Sequence, residues 1–130
     1  MTTPSRRPNA DAWFVMSRDS LEAARKITRG HPRSLMSRVY YSLFCYVHGK
    51  LIQAGQSPRK GLGTWSHNSL PGLIVEHLVK PLGSTQAKTL RRAVIRCRDL
   101  RGLADYIPGS ELDAEVTIDA MRLTERLVRE

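Results

Sequence analysis

Residues 34–54 read SLMSRVYYSLFCYVHGKLIQA, and this stretch decides the fold. Leu35, Val39, Tyr40, Leu43, Phe44, Val47 and Leu51 recur at helical steps, so they form one face of a 3.6-residue period. The run predicts a helix from about Ser34 to Ala54, closed by Gly55.

Upstream, a first helix is expected from near Asp11 to Gly30, with Trp13, Phe14, Leu21, Ala24 and Ile27 on its apolar face. Gly30 and then Pro32 read as its stop signal. Downstream, residues 56–66 (QSPRKGLGTWS) read as a plain connection, because no strand precedes the GxG and no GK[ST] follows it. A short helix over 67–79 carries Leu70, Leu73, Ile74 and Leu78, with Pro71 early and Pro81 and Gly83 ending it. A Ser84–Thr85 cap opens a helix running to Tyr106 along Leu90, Ala93 or Val94, Cys97, Leu100 and Ala104. Pro108 and Gly109 break the chain. Ser110 then caps a last helix, with Asp113 in its first turn and Leu112, Val116, Ala120, Leu123 and Leu127 on its face. No segment alternates apolar and polar residues over strand length. The expectation is an all-α, up-and-down bundle of four or five helices over residues 11–130, preceded by a flexible arm at 1–10.

The composition of the 130 residues is ordinary except in sign: 21 Lys+Arg against 12 Asp+Glu, a formal charge of +9. Such a surplus favours an anionic partner, and a merely solvated basic surface is the alternative. Cys45 and Cys97 sit inside apolar runs and outside any CxxC pair, as buried reduced thiols do. No apolar run approaches the roughly 20 residues of a membrane span, and the start of the chain lacks a signal-peptide core. The expected location is therefore cytoplasmic. His31, His48, His67 and His77 are scattered and show no zinc spacing, so no metal or cofactor is expected.

Three stretches resemble the HEPN domain family, in particular its small stand-alone branch. They are Ser37-Arg38-Val39-Tyr40-Tyr41-Ser42-Leu43-Phe44, Ser66-His67-Asn68-Ser69-Leu70 and Leu100-Arg101-Gly102-Leu103-Ala104-Asp105-Tyr106. The resemblance implies a helical bundle, often a homodimer, that accompanies a minimal nucleotidyltransferase or acts alone as a metal-independent ribonuclease in toxin–antitoxin or defence biology. The family's nuclease signature, an Arg followed within a few residues by a His on a late helix, is absent here, since no histidine follows His77. The only such spacing, Arg25 to His31, lies at the end of the first helix and reads as chance.

The candidate site follows from these motifs. Arg101 and Asp105 lie four apart on one helix face, either as a plain ion pair or as a phosphate-binding Arg with its orienting carboxylate. The catalytic candidates are Arg101, His67 and Asp105, with His67 as the proton carrier at a helix start. Binding candidates are Arg98, Arg91 and Lys88 as a basic stripe, with Tyr106, Asn68 and Tyr41; Tyr40 reads as packing. Tyr106 is also the first candidate for nucleotide transfer by a partner enzyme. Three readings stay open: an RNA- or nucleotide-binding protein with ribonuclease activity, a non-catalytic partner of a nucleotidyltransferase, and a helical adaptor.

Overall fold

The computed structural model describes residues 9–27, 30–58, 63–107 and 112–129, without the side chain of Tyr106. The described residues form an all-α bundle: α1 (Ala10–Lys26), α2 (Pro32–Gln53), α3 (Leu70–His77), α4 (Val79–Leu82), α5 (Ser84–Tyr106) and α6 (Ala114–Val128). A single 3₁₀ turn, His67–Ser69, leads into α3. The expected arm falls almost wholly outside the described residues, as do Gly61, Pro108, Gly109 and Ser110. Among the described residues, no helix is long and apolar enough to cross a membrane.

The helix α2 packs against α1, α3, α5 and α6. Its burial exceeds the single face that periodicity predicts, for Met36, Ser42, Cys45, Tyr46, His48 and Gly49 are buried too. A helix enclosed on nearly all sides is a central one, and its polar members must find partners inside. Ser42 does so at the seam with α1, and His48 through the Phe44 carbonyl and the Trp65 N–H. Ser17 Oγ donates to the Ser42 carbonyl (2.7 Å), Ser42 Oγ donates to the Ser17 carbonyl (2.8 Å), and Ser20 Oγ donates to the Arg38 carbonyl (2.8 Å). These pairs, with Trp13 beside Phe44 and His48, make α1 and α2 antiparallel.

Several expected boundaries shift for local reasons. Asn9 caps α1 by accepting from the Ala12 N–H (2.8 Å), and the helix ends at Lys26, short of Gly30, because Ile27 turns extended. Pro32 is not a stop signal but starts α2, where its missing N–H costs nothing. The single short helix divides at Leu78 into α3 and α4, and Pro81 lies inside α4. Gly83, at φ +88°, precedes α5 with no side-chain cap from Ser84 or Thr85. Asp113 itself caps α6 by accepting from the Glu115 N–H (2.8 Å). Of the expected α6 face, Ala120 and Leu127 are buried and Leu112 and Leu123 pack partly buried against the core, while Thr117, Ile118 and Thr124 are buried in addition. Thr117 and Thr124 tolerate burial because each hydroxyl donates to a carbonyl of its own helix.

One cross-link sets the register that matters for the site. The Arg33 guanidinium, at the start of α2, donates to the carbonyls of Leu103 (3.2 Å), Ala104 and Ile107 (3.5 Å) at the end of α5. A cation on the negative end of a helix dipole is favourable, and here it holds the two helix ends together. Farther along, Ser37 faces Asp105 and Tyr40 faces Arg101, so α2 and α5 also run antiparallel.

Candidate functional site

Along α2, Ser37, Tyr40, Tyr41 and Phe44 fall one, three or four residues apart and share one edge of the helix. Across from them, α5 presents Arg101 and Asp105. Arg101 Nε donates to Asp105 Oδ2 (3.0 Å), while Asp105 Oδ1 accepts from Ser37 Oγ (2.9 Å). The carboxylate thus ties the guanidinium of one helix to the hydroxyl of the other. The guanidinium carbon lies 5.5 Å from the Tyr40 ring centroid, a cation–π placement that further limits its orientation.

His67 enters from the 3₁₀ turn. Its Nδ1 shares a 2.8 Å hydrogen bond with the Tyr40 hydroxyl, and its ring centroid lies 4.7 Å from that of Phe44. The turn is held from both sides: Ser69 Oγ donates to the Ser66 carbonyl (2.8 Å), and the Trp65 N–H donates to His48 Nε2 (3.0 Å). Partial burial, aided by the Arg101 charge, lowers the His67 pKa below its ordinary value. Burial pushes the Tyr40 phenol up to about 12 against the pull of Arg101 and Arg98, so it stays protonated at neutral pH. The bond between them permits two neutral tautomers. With Tyr40 donating, His67 Nε2 carries a proton and is a donor; with Nδ1 donating, Nε2 is basic.

These side chains line a cavity of about 590 Å³, together with Arg38 and Tyr41. Two guanidinium groups and an imidazole face it, and among the described residues no carboxylate lines it, Asp105 being bonded to Arg101 and Ser37. Among the described residues no ion pair engages Arg38. Such a wall suits an anion with several oxygens, which planar guanidinium groups grip through paired N–H donors. Among the described residues no cluster of His, Cys, Asp and Glu could hold a metal ion.

The chain, compared with known proteins, matches no family model, no curated protein and no solved structure.

Of the residues singled out by sequence, Arg101, Asp105, His67 and Tyr41 therefore come together. Arg98 flanks them, paired with Asp99 at 3.6 Å and close enough to lower the Tyr40 pKa. Arg91 and Lys88 are exposed on α5 but do not line the cavity; Arg91 is ten residues from Arg101, about 15 Å along a helix. Asn68 is exposed beside His67 and outside the lining. The Tyr106 side chain lies outside the described atoms. Sequence reasoning missed Arg38 and Ser37 and read Tyr40 as packing rather than function; its ring is buried, and its hydroxyl holds His67. The Ser37, Tyr41, Phe44 and His48 spacing was the available signal, a polar-aromatic edge beside the apolar face.

A larger hollow of about 820 Å³ lies at the start of α2, between residues 30–34 and Leu112–Asp113. Its Arg33 is directed to the α5 carbonyls, and among the described residues that line the hollow no other arginine or lysine stands.

Proposed function

We propose that this chain binds RNA or nucleotides, with a phosphate seated between Arg38, Arg101 and His67. The observation that carries the reading is one cavity lined by two guanidiniums, an imidazole and a partly exposed tyrosine, with no carboxylate among its described lining residues. Arg101 is pre-oriented by Asp105, so less freedom is lost when it meets phosphate oxygens. Tyr41 is stacked on Phe44 at a centroid separation of 6.0 Å and an interplanar angle of 14°, giving a rigid aromatic surface for a base. The net charge of +9 and the motif resemblance to the HEPN family support the same reading.

The test is fluorescence polarisation of a labelled single-stranded RNA across a salt series. Affinity falls with rising salt, and Arg101→Ala weakens binding on the order of tenfold or more, the loss of a charge-assisted pair. Absence of binding at low salt, or binding that Arg101→Ala leaves unchanged, rejects the proposal and leaves the basic surface to protein partners.

The lowered pKa of His67 favours a second reading, metal-independent RNA cleavage. In the Nδ1–H tautomer, Nε2 takes the proton of a ribose 2′-hydroxyl as its oxygen attacks phosphorus. The bond to the 5′-oxygen breaks, water protonates that oxygen, and the hydroxide formed recovers the proton from the imidazolium. Arg101 meets the charge that develops on the phosphate oxygens. Cleavage in EDTA yielding cyclic phosphate ends, lost in His67→Ala even at protein concentrations that saturate the RNA, supports this step. Intact RNA under conditions of saturated binding rejects it.

A further inference from the structure

The cavity does not end at Tyr41. A second one, about 190 Å³, is lined by Met16, Asp19, Ser20, Arg38 and Tyr41. Arg38 and Tyr41 line both, so the two spaces share these side chains as a common wall. On α1, Met16, Asp19 and Ser20 stand three and four residues apart on one face. The Ser20 hydroxyl, bonded to the Arg38 carbonyl, fixes that face against α2, so rigid helices rather than a loop place Asp19 near Tyr41. Tyr41 and Met16 are each 37 % exposed, an aromatic and a thioether left open to solvent beside one carboxylate.

We infer that this second space is a base subsite that prefers an unpaired guanine, an assignment that rests on the RNA-binding reading above. A phosphate between Arg38 and Arg101 leaves the attached nucleoside to cross the shared wall. The base then meets Tyr41 and Met16, which supply stacking and soft apolar contact to any base. Asp19 supplies the discrimination. A carboxylate accepts two parallel hydrogen bonds from guanine, whose N1–H and N2–H lie side by side. Adenine, cytosine and uracil each present a single donor group on that edge. The base must be unpaired, because pairing occupies this edge and a duplex shields its faces.

The experiment measures affinity for four 11-nucleotide RNAs, U₅XU₅, with X as G, A, C or U. The G oligomer binds roughly three- to tenfold tighter than the others, a modest ratio because Asp19 is solvated. Asp19→Ala removes this preference and leaves affinity for the all-U oligomer equal or higher, since a negative charge beside Arg38 is gone. Tyr41→Ala weakens all four. Equal affinity for the four, or a G preference that survives Asp19→Ala, overturns the guanine subsite while RNA binding stands. No binding to any oligomer sinks the underlying reading and the subsite with it. GMP that displaces the G oligomer only in large excess supports RNA as the ligand; displacement at equal concentration overturns RNA in favour of a free nucleotide.

Discussion

Two histidines lean on the same phenylalanine and end in opposite states. The ring of His48 lies 4.2 Å from that of Phe44, and the ring of His67 lies 4.7 Å from it. His48 is fully buried, packed also against Trp13 (4.5 Å) and Trp65 (5.1 Å). Both of its nitrogens are occupied: Nδ1–H donates to the Phe44 carbonyl (2.8 Å), and Nε2 accepts from the Trp65 N–H (3.0 Å). His67 has Nδ1 committed to Tyr40 and stays partly open to the cavity. Residue type and aromatic contact are thus the same, and the difference lies in the surroundings of the second nitrogen. A closed imidazole is a structural pin, whereas an open one beside arginine is available for chemistry.

The comparison breaks most readily by deletion. His48→Ala leaves a void among aromatic rings and orphans the Trp65 N–H, and the expected loss is about 3 kcal/mol in urea unfolding. His67→Ala, at a partly exposed turn, is expected to cost less than about 1 kcal/mol. Equal losses would erase the distinction.

Acid sharpens it. Burial holds the folded His48 pKa down to about 4, against 6.5 for the ordinary side chain. Between these values the unfolded chain binds the extra proton and the folded chain does not. The contribution is therefore intact above pH 6.5 and is lost as pH falls through 4, to a total of roughly 3 kcal/mol. The His67 shift has the same sign. Urea titrations at pH 7, 5.5 and 4 measure the decline, and a flat profile through that range would contradict the closed state of His48.

Gly49, next to His48, tests how tightly the closed side is packed. A β-carbon there would come within 2.5 Å of Phe14 Cε1. Gly49→Ala gains helix propensity yet is expected to lose about 1 kcal/mol net, because the ring has to move. A more stable variant by thermal melting would show the packing to be looser than described.

The smallest stability effect belongs to the open side. Asp105→Asn weakens a partly exposed ion pair and should shift stability by only about 0.5 kcal/mol or less. RNA affinity should nevertheless fall by roughly two- to fivefold, because Arg101 loses its orienting carboxylate. Polarisation binding beside urea unfolding separates the two quantities.

The closed and open regions also differ in how far they were legible beforehand. Helical periodicity located α2 and α5 closely, because their apolar residues repeat at short range. The Arg101–Asp105 pair was legible for the same reason, being four residues apart on one helix. Boundaries were harder where one residue type has two roles. Pro32 ends a helix and starts one equally well, and Asp113 serves as a cap or as a first-turn charge. On α6 the apolar line was legible but the burial of Thr117 and Thr124 was not, because threonines look like surface residues, yet these satisfy their hydroxyls on their own backbone. The bond between Tyr40 and His67 spans 27 residues and two elements, and no local pattern encodes it.

The order of residues by itself determined an all-helical chain, a strongly positive surface and a paired Arg101–Asp105 face. Each of these is set by neighbours within a turn or two, or by a simple sum of charges. Only the tertiary structure decided that His48 is sealed and His67 open, and that Arg38 and Arg101 face one cavity beside Tyr41. The physical reason is packing: the antiparallel seams of α2 with α1 and α5, fixed by Ser42 and Arg33, determine which polar groups are enclosed and which meet solvent.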